Sequence, residues 1–163
     1  MAVSLQISWA GRDASDFART FFVAAQVDNF RPLLNEIAEE VVSPSVKKNF
    51  DSGGRPSWQA LAPSTLASKA RRGHSSRILV ATGALEAAAS NVSRYVITKD
   101  ELRASPGAIP YWGFHQTGEG LPQRTIMMLQ AQDRTKINAL WAKFIRTFLI
   151  FNPNVPGGRT FGT

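Results

Sequence analysis

Between Asp133 and Phe151, the residues Ile137, Leu140, Trp141, Phe144, Ile145, Phe148 and Leu149 return at intervals of three and four positions, with basic residues between them. Only a helix gathers that spacing onto one face, and a face this apolar must be covered. The sequence predicts that it packs on a sheet. A second run, Phe30, Leu33, Leu34, Ile37, Val41 and Val42, has the same periodicity and predicts another amphipathic helix, with Asp28 as its N-cap. Glu36, Glu39 and Glu40 form its solvated side. Pro44 lacks a backbone donor and disfavours helical geometry at Ser43, so this helix is expected to kink, or to end and restart through Asn49.

Upstream, Val3, Leu5, Ile7 and Trp9 alternate with polar or small residues in the manner of a half-buried strand, which Gly11 ends. From Asp13 to about Val27 the spacing of Phe17, Phe21, Ala24 and Ala25 predicts a helix, although Phe21 to Val23 also suits a strand. Residues 51–56 are dense in turn formers and separate the Pro44 region from Trp58 and Leu61. Pro63 opens a short helix through Arg72, Gly73 to Arg77 is a loop, and Thr82 caps a small helix from Gly83 to about Ser90. Strand character follows at 92–98, 101–105 and 109–114, with Lys99 and Asp100 turning the first two into a hairpin. Residues 115–124 form a loop before a further strand at 126–129. Asn152 and Pro153 stop the last helix, and the residues beyond them have no core-forming pattern. The fold class predicted is α+β: a single domain over 1–151, with a small antiparallel sheet packed by long amphipathic helices, extended loops, and a flexible C-terminal arm over 152–163.

The absence of cysteine excludes disulfides, thiolate metal sites and a cysteine nucleophile. No stretch has the length and apolarity of a membrane span, and the first residues lack the basic start and apolar core of a signal peptide. Folding in a cytosol is therefore expected, with no membrane partner. The net charge of +7 allows attraction to nucleic acid or to an acidic protein without choosing between them. The densest basic cluster is Lys69, Arg71, Arg72 and Arg77, but aromatic interleaving and a recognition-helix pattern are both missing.

Catalysis requires a nucleophile, base or metal held within mutual reach. The sequence has no phosphate-cradling glycine motif, no nucleophile elbow and no His-Glu-x-x-His helix, so no enzyme class and no cofactor is indicated. His74 and His115 lie in different loops, and a metal site would need both to converge with carboxylates. The glutamates of the second helix do not suggest the two walls of a sugar-cleaving cleft. Trp58, Trp112 and Trp141 read as core anchors in preference to a ligand-stacking platform.

One stretch runs Gly54-Arg55-Pro56-Ser57-Trp58-Gln59-Ala60-Leu61-Ala62-Pro63-Ser64-Thr65-Leu66, followed by Lys69. Next come Ile78-Leu79 and Thr82-Gly83-Ala84-Leu85, then Tyr111 to Gly118 with His115 and Gln116, and finally Pro122 and Arg124. In order and spacing these blocks resemble the phage virion morphogenesis (tail-completion) proteins. Ala62, Ala87 to Ala89 and Gln123 depart from that pattern. The resemblance implies a structural, non-enzymatic virion protein of the tail-completion or neck region, related to tail terminators and head-tail connectors. Such a protein is assembled in the host cytoplasm and joins head to tail as a homo-oligomeric ring, commonly of six subunits. Its implied partners are connector and tail-tube proteins, with non-specific contact to genomic DNA in the lumen as a further one. The competing reading from charge alone is a basic nucleic-acid-binding module. Candidate contact residues are Lys69, Arg71, Arg72, His74 and Arg77 in the basic loop, and His115, Gln116 and Arg124 in the third block. Pro153, Pro156, Arg159 and Phe161 in the arm complete the set. The loop is expected to meet an acidic surface or DNA phosphate, and the arm to lie along an adjacent chain.

Overall fold

The computed structural model describes residues 24, 25 and 27–151, with side chains as far as Phe148. The strand expected at Val3 to Trp9, most of the helix expected from Asp13 and the arm at 152–163 lie outside the described residues.

The second amphipathic run forms a helical rod in three parts: α1 (Arg31–Ile37), a π-helical turn (Ala38–Val42) and α2 (Ser43–Asp51). Its start differs from expectation. Phe30 is the N-cap residue, and the Asn29 side chain, not that of Asp28, accepts the Arg31 amide at 3.0 Å. As one of the two expected forms had it, regular α-helix restarts at the proline: Pro44 lies in the first turn of α2, which runs through Asn49 to Asp51. The Ser43 amide reaches back five residues to Ala38 O, and this wide turn immediately precedes the proline. In a regular α-helix the ring would press on the carbonyl four residues back, and one extra residue in the turn relieves that clash. Leu33, Ile37, Ala38, Val41, Val46 and Phe50 bury almost completely along one side of the rod.

After the loop that follows Asp51 come α3 (Pro63–Arg71) and α4 (Ala84–Ala89). Gly83 is the N-cap of α4, while the Thr82 hydroxyl accepts the Ala84 amide at 3.4 Å. A 3₁₀ turn (Val92–Arg94) leads into β1 (Val96–Ile97), which pairs antiparallel with β2 (Leu102–Arg103), Val96 opposite Arg103 and Ile97 opposite Leu102. Lys99 and Asp100 make the hairpin turn, closed by Thr98 N donating to Glu101 O at 2.9 Å. Phe30 N donates to Lys99 O at 2.6 Å, fixing the hairpin to the start of the rod. The sheet is therefore smaller than the strand propensities suggest.

Two expected strands are absent. Residues 109–114 instead lead into a helix, α5 (Trp112–Thr117), ended by Gly118 in the left-handed region at φ 81°. A Gly C-cap of this kind satisfies the last carbonyls of a turn and outweighs the aromatic strand propensity. Residues 126–129 are extended but unpaired with a strand. Gln116 Oε1 accepts the amides of Ile126 and Met127 at 2.9 and 3.0 Å, and Asn49 Nδ2 donates to the carbonyls of Ile126 and Met128 at 2.9 and 3.3 Å. Side-chain amides thus do for this segment what a neighbouring strand would otherwise do.

The last helix, α6 (Ala131–Phe151), packs against α1 and the π turn. Phe30 stacks on Trp141 with ring centroids 5.5 Å apart and lies 6.0 Å from Phe144, while Ile137 is fully enclosed. The long helices therefore cover each other, with the hairpin beside α1. The result is an α+β domain whose core lies chiefly between helices.

Candidate assembly surface

The loop after α2 positions the first of the three blocks. Gly54 has φ 101°, and a Cβ there would stand 2.5 Å from the Trp58 ring and 2.7 Å from Pro56 O. Only glycine fits both the backbone angle and the space. Trp58 is thereby held edge-on to Phe50 at 5.6 Å, and its Nε1 donates to Thr125 O at 3.2 Å. That bond draws the end of the third block against the first.

A buried polar network that the sequence reading did not single out lies behind this junction. Arg55 Nε donates to Asn49 Oδ1, and Nη2 donates to Ser45 O and Ser45 Oγ, all at 2.8 Å. Ser45 Oγ donates in turn to Asp133 Oδ2 at 2.6 Å, and the same oxygen accepts the Gln130 amide at 2.8 Å. Asp133 therefore caps the N-terminus of α6 while serving the network. A signal existed in the sequence. Ser45 and Asn49 continue the four-residue register of Ile37 and Val41, so polar side chains occupy core-facing positions of an otherwise apolar stripe.

On the outer side the three blocks border one open concavity of about 610 Å³. The first block contributes Leu61, Thr65 and Lys69; the second Leu79, Thr82 and Leu85; the third Tyr111, His115, Pro122 and Arg124. Arg72 and His74 from the basic loop complete the wall, and among the described residues no Asp or Glu lines it. Leu79 holds a left-handed backbone at φ 60°, an unusual conformation for a residue with a branched side chain.

Arg124 is only 7% exposed. Its backbone amide donates to His115 O at 2.7 Å and its Nη2 to Gln59 O at 3.1 Å, while Nε is buried without a hydrogen-bond partner. Among the described residues it has no carboxylate partner. His115 Nδ1 is likewise buried and unpartnered. Burial, and then the neighbouring Arg124 charge, hold the His115 imidazole below its ordinary titration range, so the ring is neutral at pH 7.

The expected contact residues divide into two groups. Lys69 Nζ donates to Arg77 O and Val80 O at 2.6 and 2.9 Å, closing the basic loop from within, and burial lowers its pKa. Arg77, itself exposed, pairs with Asp51 at 3.0 Å and Glu86 at 3.2 Å. Gln116 is engaged by the 126–127 backbone, as described above. These three are internal ties. Arg71 and Arg72 are exposed and without ion-pair partners among the described residues, and Arg72, His74, His115 and Arg124 share the concavity. Pro153, Pro156, Arg159 and Phe161 lie outside the described residues.

Both histidines thus reach one face, but no group of three His, Asp or Glu side chains gathers in metal-binding geometry among the described residues. Glu36 pairs with Lys143 at 2.5 Å, and Glu39 and Glu40 are exposed on the rod. Two exposed apolar side chains, Tyr111 and Leu121, line the concavity at 47% and 45% exposure. Among the described residues, no helix is long and apolar enough to cross a membrane. No family model, curated protein or solved structure matches the chain.

Proposed function

We propose that this chain is a structural subunit of the tail-completion or neck region of a phage virion, forming a ring that terminates the tail and joins it to the head. The observation that carries this reading is the convergence of the three blocks on which the resemblance rests. They are distant in sequence, yet each contributes to the same concave, acid-free, apolar-flanked face. Within the blocks, Gly54, Trp58, Gln116 and Gly118 build the scaffold, while Leu61, Leu79, Leu85, Tyr111 and Arg124 border the space together with Arg72 and His74 of the basic loop and Leu121. A rigid body presenting such a face suits a head-to-tail interface, and rings arise when that kind of interface closes. Exposed aromatic side chains beside a buried arginine are also the usual anchors of protein contacts.

The test is to purify particles from an infection lacking this chain. The expected outcome is filled heads and separate tails, restored to joined virions when the chain is supplied. Normally joined particles without it would refute the assignment. The nucleic-acid reading draws on the exposed Arg71 and Arg72. It predicts steeply salt-dependent affinity for duplex DNA, whereas ring assembly predicts high-mass species or binding to tail components.

A further inference from the structure

A guanidinium with a buried, unpartnered Nε and no carboxylate nearby is costly to hold, because desolvation is not balanced by an opposite charge. Arg124 is in that position, beside the equally unpartnered Nδ1 of His115, and both residues border the concavity. Lys69 and Arg72 stand in the same wall, and among the described residues its lining offers no counter-charge. The remaining lining is largely apolar, and the space lies within the ~300–1,000 Å³ range of ligand-holding pockets.

We propose that this concavity is a socket for an acidic segment of a partner protein. A Glu or Asp carboxylate of that segment meets Arg124, and its flanking apolar side chains lie against Leu61, Leu79, Tyr111 and Leu121. Charge complementarity selects the anion, and the surroundings select a peptide over a nucleic acid. Duplex DNA presents its phosphates on a broad convex surface that is met by exposed cations, whereas the cations here border a concave and largely apolar space. Phosphates would also leave Tyr111 and Leu121 uncovered, while leucine-like neighbours of a carboxylate would cover them. A carboxylate docked in the concavity meets the terminal nitrogens of the guanidinium, since the enclosed Nε offers it no accessible surface. The proposal rests on the reading of this face as an assembly contact and specifies the chemistry of what docks there.

The experiment uses the full chain and a fluorescent, end-blocked short peptide of alternating leucine and glutamate, with the glutamine counterpart and a short random DNA duplex as comparisons. Binding of the glutamate peptide should exceed that of the glutamine peptide roughly tenfold or more, the scale of one charge-assisted contact. Arg72→Ser should weaken it several-fold and Arg124→Gln should abolish it, while Arg77→Ser, which removes ion pairs to Asp51 and Glu86 outside the lining of the concavity, should leave it unchanged. If Arg124→Gln does not fold, the peptide comparison on the native chain and the Arg72→Ser result decide. Equal affinity for the two peptides, or no effect of Arg72→Ser, would overturn the socket. So would a duplex that binds more tightly than the peptide and is lost in the same variants, which would assign the face to nucleic acid. Head-tail joining that fails without the chain, alongside absent peptide binding, would reject the socket and keep the assembly role. Peptide binding alongside normal joining without the chain would reject the assembly role and keep the socket.

Discussion

Trp58 performs two tasks that a smaller side chain cannot share: it fills the space beside Phe50, and it ties the first block to the third through Thr125 O. Trp58→Ala should lower stability by about 3 to 5 kcal/mol, the range for deleting a buried aromatic ring. Trp141→Ala should cost less, because that ring is only half-buried against Phe30, and Arg71→Ala should stay within about 0.5 kcal/mol. Chemical denaturation of the three variants orders these effects, and equal midpoints for Trp58→Ala and the native chain would contradict the packing described. His115 adds a pH dependence whose direction follows from its surroundings. Its folded-state pKa lies below the ordinary imidazole value of 6.5, so the unfolded chain binds the proton more readily. The histidine's contribution to stability is therefore complete above that ordinary value and is lost as pH falls through the folded pKa. In thermal unfolding measured from about pH 7.5 down to about pH 5, His115→Gln should lose less stability than the native chain. Parallel curves would remove His115 as the source.

At the level of elements, the helix spacings were readable wherever burial and periodicity agreed, as in the rod and in α6. They misled where local propensity competed with tertiary partners. Residues 126–129 have strand propensity but no strand beside them, because Asn49 and Gln116 supply the pairing from 77 and 10 residues away in sequence. No local pattern reports such distant partners. The π turn is a similar case, since Pro44 announced a disturbance but not its form. A π turn of this kind is an α-helix with one residue too many, so removing an exposed residue from it preserves the register on both sides. Deleting Glu40 together with Pro44→Ala should give a continuous α-helix that still directs Ser45 and Asn49 into the core. Deleting Lys47 should instead rotate Asn49 and Phe50 by roughly 100° and unfold the protein, because their helical register is fixed at 3.6 residues per turn. Circular dichroism separates the two outcomes, and equal loss of helix in both deletions would refute the register argument.

Across the whole molecule, cationic residues that look alike in sequence have different roles, and folding decides which ones face outward. The run from Lys69 to Arg77 reads as one basic loop because sequence shows charge but not the carboxylates that meet it. Asp51 lies at the end of α2 and Glu86 on α4, and together they engage Arg77 within the chain, while Lys69 closes the loop on two carbonyls. Arg124 was legible as part of a motif, but its burial without a counter-charge was not, since that depends on Gln59, His115 and the concavity coming together. This division yields a prediction that separates folding from assembly. Arg77→Ser removes partly exposed ion pairs, each worth about 0.2 to 1 kcal/mol, and should lower the unfolding midpoint slightly. The double variant Arg71→Ser with Arg72→Ser removes no internal partner and should unfold at the native midpoint. If the exposed pair faces a neighbour in the assembled particle, head-tail joining in a complementation assay should fall in the double variant and persist in Arg77→Ser. Full joining by a normally folded double variant would place Arg71 and Arg72 in solvent and leave Arg124 and the apolar rim as the contact. Deleting residues 153–163, which begin after the last residue of α6, measures the contribution of the arm separately in the same assay.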